Sequence, residues 1–402
     1  MSSRRYTMVI KSMYDEFLSL YKAMDNPRLF FAPGRINLIG EHTDYNGGYV
    51  FPASISFGTY ALATKRTDKK LRFYSMNFPN KGVIECDIDD LNYNEEHNWA
   101  NYPKGMIKFM YESGYNISSG MDILYYGNIP NSAGLSSSAS IEMVTGVLLE
   151  GLFDFQLDRM KMVQLGQKVE NEYIGVNSGI MDQFAIGMGK KNHAIHLNTE
   201  TLEYTYAPIE LPNHSIIIIN TNKSRALADS KYNERRTQCE EALVDLQKEL
   251  KINSLGELST EEFEAHKHLI QNKTNQKRAK HAVYENARTL EALKKLKVHD
   301  LHGFGKLMNE SHLSLQDDFE VTGMELDTIV EAAWNQEGVL GARMTGAGFG
   351  GCAIAIVEND QIEIFKQNVN HTYLENIGHE PTFYTAAIGD GAKEIRRAMI
   401  NE

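Results

Sequence analysis

Apolar positions recur along this chain in two rhythms, one at helical spacing and one alternating or continuous. Over residues 7–26, Met8, Val9, Met13, Phe17, Leu20 and Met24 fall at helical spacing, which predicts an amphipathic helix. Leu29, Phe30, Phe31 and Ala32, closed by Pro33, predict a short buried strand. Further strands are predicted over residues 59–64, 71–75, 83–88 and 121–126, with a helix over 99–111 before the last. A turn-rich stretch over 127–135 leads into a helix over 137–152, and a second helix is predicted over 158–174.

Pro208 and Pro212 bracket a short linker ahead of the apolar run 215–219. They predict a division into an N-terminal domain, residues 1–208, and a C-terminal domain, residues 209–402. Beyond the linker, helices are predicted over 231–250, 277–296, 299–314 and 326–336. Two strands around the glycine-rich stretch 345–351, another helix and a strand over 383–387 follow. Strands and helices mix without regular alternation and no repeat is present, so the expected class is α+β.

Composition narrows the function. A chain of 402 residues suits two domains. The formal charge of −12 argues against a duplex nucleic-acid binder, although an anionic substrate needs only a local positive site. Cys86, Cys239 and Cys352 have neither zinc-site nor disulfide-framework spacing, which fits a reducing compartment. The basic N-terminus is followed by Lys11, Asp15 and Glu16 rather than a signal-peptide core, and no apolar run reaches bilayer length. The expected setting is the cytoplasm, without a membrane partner.

Three segments carry candidate chemistry. Residues 34–48 hold Arg35, Asn37, Glu41, His42 and Asp44 among four glycines, directly after a buried strand. Ionised carboxylates only accept hydrogen bonds and sugar hydroxyls donate them, so Glu41 and Asp44 suit a polyol; the plain alternative is a solvated loop. In the second segment, residues 130–140, Gly134 and Leu135 precede Ser136, Ser137 and Ser138 at a helix start. Free amides and hydroxyls at the positive end of a helix make an anion site, with phosphate the natural ligand. One serine there would be only an N-cap; three in a row exceed what capping needs.

The third segment, residues 343–352, has GxGxxG spacing through Gly346, Gly348 and Gly351. A dinucleotide fingerprint should open a helix, but residues 352–357 read as a strand. A glycine loop between two strands points instead to close backbone approach to another segment or a ligand. No GxxxxGK[ST] sequence occurs. Glu170 and Asp182, the latter between Met181 and Phe184, are buried structural partners or catalytic groups; residue type alone leaves both readings open. His193, His196, His266 and His268 lack a zinc-type pattern and read as surface or core histidines.

These segments together resemble a known family. Residues 34–48 resemble the galactokinase signature, and the other two resemble the second and third motifs of the galactose, homoserine, mevalonate and phosphomevalonate kinase superfamily. Residues 179–183 and 230–236 are also galactokinase-like, so the resemblance runs in order from Ala32 to Gly351. Departures are Ile36 for the usual valine, Ser178 for a frequent cysteine and Ala347 for a frequent glycine.

The resemblance implies a mixed-sheet N-terminal domain, an α+β C-terminal domain and an active site in the cleft between them. It implies ATP-dependent phosphorylation of galactose at the C1 hydroxyl, with Arg35 and Asp182 at that hydroxyl. Glu41, His42, Thr43, Asp44 and Tyr232 would hold the sugar, together with Asp182. Ser132, Ala133, Gly134, Leu135, Ser136, Ser137 and Ser138 would cradle the nucleotide phosphates, with Ser75 a further nucleotide contact. Ser138 and Glu170 would hold Mg²⁺. No nucleic acid and no obligate protein partner are implied. Alternatives within the resemblance are an N-acetylgalactosamine or other sugar-1-kinase, and a non-catalytic galactose and ATP sensor.

Overall fold

The structure, a computed structural model, describes residues 3–22, 26–130, 133–223 and 228–396. Helix α1 (Ser3–Tyr21) precedes strands β1 (Arg28–Asn37), β2 (Tyr49–Val50), β3 (Pro52–Lys65), β4 (Lys70–Ser75) and β5 (Ile84–Asp87). Then come α2 (Asn101–Glu112), β6 (Met121–Gly127), α3 (Ser137–Phe153), α4 (Arg159–Lys168), α5 (Met181–Met188), β7 (His193–Asn198) and β8 (Tyr204–Pro208). The remainder starts with β9 (His214–Asn220), α6 (Ala228–Leu246), α7 (Thr260–His266), α8 (Lys273–Lys297), α9 (Leu301–Ser314) and α10 (Met324–Trp334). It closes with β10 (Val339–Thr345), β11 (Cys352–Glu358), α11 (Ile362–Ile377), β12 (Thr382–Ala386) and β13 (Lys393–Ile395).

Among the described residues three sheets form, in the orders β13-β1-β3-β6-β4-β5, β10-β11-β9-β12 and β2-β7-β8. The first is mixed, because β4 runs parallel to β6 while the other pairings are antiparallel. This is the α+β architecture that the mixed order of elements predicted. Strand β1 is buried on both faces, which explains its unbroken apolar run. Leu29 and Phe31 pack against α1 through Met13 and Phe17, while Phe30 and Ala32 face the core that holds Val144 and Leu148 of α3. In β9 the same alternation sends Ile217 and Ile219 to one core and Ile216 and Ile218 to another. That last core is the joint of the molecule. It combines Leu38, Ile39 and Phe51 from the first part of the chain with Ile354, Phe304 and Met308 from the last.

Several elements differ from their sequence expectations. Strand β1 does not stop at Pro33 but continues to Asn37, with its pairing to β3 shifting between Pro33 and Arg35. A bulge accommodates a proline that would break a regular ladder, and it leaves Arg35 and Asn37 on a strand rather than a loop. The helix expected over 158–174 ends at Lys168 and gives way to a wide π-type turn, Val169–Ile174, that carries Glu170. Helices α5 and α7 and strands β2, β7, β8 and β13 had no sequence expectation.

Candidate active site

A cavity of about 250 Å³ is lined by the end of β1 and the loop after it, the loop between β6 and α3, the stretch from Glu170 to Asp182 that opens α5, and the glycine loop between β10 and β11, with Tyr102 of α2 and Tyr232 of α6. At the centre lies an ion pair. Arg35 sends Nε to Asp182 Oδ1 at 2.8 Å and Nη2 to Asp182 Oδ2 at 2.9 Å, a two-pronged geometry that fixes both groups. The third prong, Nη1, donates to the carbonyl of Gly134 at 2.8 Å. Ser136 Oγ donates to Asp182 Oδ2 at 2.5 Å. One strand arginine therefore ties α5 to the loop that opens α3.

On the loop after β1, polar groups are buried and already bonded. Glu41 Oε1 accepts from the amide of Gly346 at 2.7 Å and from Arg343 Nη1 at 3.3 Å. His42 has a left-handed backbone, φ 60°. Its Nε2 lies 3.1 Å from the carbonyl of Ala347, which can only accept, so Nε2 carries the proton. Nδ1 then accepts from the Tyr45 hydroxyl at 2.7 Å. Burial, followed by the nearby His281, lowers the His42 imidazole to about 3, so the ring is neutral. The glycine loop meets the expectation of close backbone approach: its amide and carbonyl groups serve Glu41 and His42.

Asp44 enters the cavity over Gly179, where an added Cβ would sit on its carboxylate. Burial, then the charges of Asp182 and Glu41, push its carboxyl up to about 7. Burial, then the charges of Asp44 and Asp182, raise the Tyr232 phenol well above its ordinary value.

The loop before α3 is organised differently. Ser136 stands at the N-cap with φ 62° and caps no amide with its side chain, its hydroxyl being given to Asp182. Glu170 is 6 % exposed on its wide turn. Burial raises its carboxyl above the ordinary range, opposed by the hydroxyls of Ser138 and Ser178. Ser138 and Glu170 thus form a pair of hard oxygen donors on the cavity wall, a set that fits Mg²⁺. A second cavity of about 230 Å³ adjoins the first, sharing Tyr102, Ile129, Ser137 and Ser138 and adding Ser75, Phe78, Trp99 and Tyr125.

Family profiles match in three stretches. "Galactokinase galactose-binding signature" covers residues 15–65, "GHMP kinases N terminal domain" 101–190 and "GHMP kinases C terminal" 289–375. The galactokinase of Ligilactobacillus salivarius is 60 % identical over 366 residues, which is 91 % of this chain and 95 % of that protein. The chain belongs to the galactokinase family. The crystal structure of Lactococcus lactis galactokinase complexed with galactose superposes with a TM-score of 0.95 at 53 % identity, covering 96 % of this chain and 100 % of the other. Methanococcus jannaschii mevalonate kinase shares the fold, with a TM-score of 0.65 at 19 % identity over 92 % of this chain and 100 % of the other.

Most residues marked by the galactokinase resemblance line the first cavity together. Thr43 does not: its hydroxyl turns to the carbonyls of Gly40 at 2.9 Å and Tyr49 at 2.7 Å, and it shapes the loop from behind. Ser75 lies in the adjoining cavity instead. Ser132 is outside the described residues.

Sequence reasoning missed a layer beneath the first loop. Glu285 of α8 accepts from the amides of Gly40 at 2.9 Å and Glu41 at 3.3 Å, from Ser311 Oγ at 2.6 Å and from Arg288 Nε at 2.8 Å. Burial would raise its carboxyl, but Arg288, His281 and Arg343 outweigh it and hold it down at about 2. Arg343 also donates to the carbonyl of Asn37 at 2.9 Å, and His281 Nε2 to that of Glu41 at 3.0 Å. The cation in the third motif was visible as Arg343; nothing in its spacing named Glu285 as its neighbour.

Proposed function

We propose that this chain transfers the γ-phosphoryl group of ATP to the C1 hydroxyl of galactose, giving galactose 1-phosphate and ADP. The observation that carries the reading is the Arg35–Asp182 pair, which stands where the two loops meet and bonds directly to the phosphate-side loop at Gly134 and Ser136. In this reading Asp182 accepts the proton of the C1 hydroxyl as that oxygen bonds to the γ-phosphorus. The bond from the γ-phosphorus to the β–γ bridging oxygen breaks, and ADP leaves. Arg35 holds Asp182 in a two-pronged pair and faces the developing charge.

Glu41, His42, Asp44 and Tyr232 hold the remaining hydroxyls, on a loop shaped by Thr43. The N-terminal amides of α3, with Gly134 and Ser136 to Ser138, take the phosphates. The adjoining aromatic cavity, with Ser75, takes the base and ribose. Ser138 and Glu170 would hold Mg²⁺, which neutralises phosphate charge when bound. Among the described residues no helix is long and apolar enough to cross a membrane, and no disulfide joins the three cysteines. Both observations, with ATP as co-substrate, support a cytoplasmic setting.

ADP release measured with ATP and Mg²⁺ against galactose, N-acetylgalactosamine, glucose, arabinose and mevalonate tests the reading. Turnover should be highest with galactose. Preference for another sugar overturns the substrate, and galactose binding without turnover overturns the kinase in favour of a sensor.

A further inference from the structure

Behind the phosphate-side loop lies a buried acid that the mechanism above does not use. Glu142 is on α3, one turn after Ser138 and on the same helix face, and it is 0 % exposed. Its Oε2 accepts from Nε2 of Gln183 at 3.0 Å. Gln183 is also fully buried and follows Asp182 directly on α5. This one contact joins the helix that carries the serines to the helix that carries Asp182. It crosses Gly166 of α4, where an added Cβ would stand 3.0 Å from Gln183 Cγ and 3.4 Å from Glu142 Oε2.

The hydrogen-bond count of the pair does not close with an ionised carboxylate. Glu142 Oε1 and Gln183 Oε1 are both buried acceptors that no donor among the described residues reaches. An unmet buried acceptor destabilises, and an unmet buried charge does so far more. Turning the amide over does not help, since its oxygen would then face Glu142 Oε2 and need a proton there. A proton on Glu142 removes the unmet buried charge and gives the pair a donor. Burial, then the charges of Glu170 and Asp182, push this carboxyl well up, in the same sense.

We propose that Glu142 is a neutral positioning residue: as a carboxylic acid paired with the Gln183 amide, it sets the placement of Asp182 relative to Ser136–Ser138. A neutral acid does this without adding a third negative charge beside Glu170 and Asp182. The pair holds the helix rather than the substrate, so its loss lowers turnover while leaving both substrates bound. Displacing a reacting group by about 1 Å can cost on the order of a hundredfold.

The inference rests on the kinase reading, and galactose-dependent ADP release by the unaltered protein tests that reading first. Steady-state kinetics then compare Glu142→Gln and Glu142→Leu, with thermal unfolding alongside. Glu142→Gln, neutral and of the same shape, should keep kcat within about threefold, whereas Glu142→Leu should lose about tenfold or more with both KM values within about twofold. Unchanged kcat in Glu142→Leu reduces the residue to packing and overturns the proposal. A kcat as low in Glu142→Gln as in Glu142→Leu means that the charge is needed, and overturns it equally. If Glu142→Leu does not fold, Gln183→Met carries the same comparison from the other partner. Infrared difference spectra at neutral pH should show a protonated carboxyl band in the unaltered protein that Glu142→Gln lacks; its absence also overturns the proposal.

Discussion

On one rim of the cavity, Glu41, His42 and the amides of Gly40 and Glu41 are already bonded to Arg343, Glu285 and the 346–347 backbone; on the other, the N-cap Ser136 turns its hydroxyl to Asp182 and caps no amide of α3. On the proposed assignment of sugar to the first rim and phosphates to the second, the contrast matches the chemistry of the two ligands. A sugar is uncharged and offers many similar hydroxyls, so discrimination needs groups fixed in advance, and fixing them takes a buried frame of charges. A polyphosphate brings its own charge and acceptors, so the protein best leaves donors unmet and lets the ligand complete the structure. The Arg35–Asp182 pair is the one element that belongs to both rims.

Removing that shared element should have the largest effect. Asp182→Asn is expected to lower kcat about a hundredfold or more, measured by coupled ADP assay, and near-normal turnover would remove Asp182 from the mechanism. Arg343→Met breaks the frame of the first rim alone. It should raise KM for galactose about tenfold and lower the thermal midpoint, because Glu41 and Glu285 lose a buried cation, while KM for ATP stays within about twofold. Equal rises in both KM values would mean that the rims are not separately built.

A smaller effect sharpens the comparison by pH. The Asp44 carboxyl is pushed up to about 7, so it is an ionised acceptor above that pH and protonated below. KM for galactose should rise several-fold as pH falls from about 8 to about 6, and Asp44→Asn should be poor and flat over the same range. A profile in Asp44→Asn identical to that of the unaltered protein assigns the titration elsewhere. Ser136→Ala, the mildest change, removes one hydrogen bond to Asp182 on the second rim. A loss of about threefold to tenfold in kcat with unchanged galactose KM is expected.

The chemistry on the cavity wall was largely legible, because a run such as 34–48 or 130–140 concentrates its functional groups within one loop. The groups behind the wall were not. Glu285 and His281 sit on a long helix whose polar positions look like any solvated face, and Glu142 follows the serines as an ordinary helix residue. Only tertiary packing turns these positions inward. Strand lengths failed for related reasons. Pro33 reads as a stop, and only pairing with β3 across a bulge carries β1 on to Asn37. In β7 the two histidines mask the apolar alternation, and β13 is three residues long with two charges, an edge strand with no periodicity to detect.

That short edge strand has a consequence for synthesis. Leu29, Phe30 and Phe31 of β1 pair with β13, and Arg28 meets Glu394 across 366 residues of sequence. At about 5–20 residues per second, the outer edge of β1 is translated roughly 20–70 s before its partner leaves the ribosome. Through that interval an apolar strand presents unpaired amides to the cell. A nascent chain stalled before residue 393 should therefore be the species that chaperones hold and that self-associates when they are depleted.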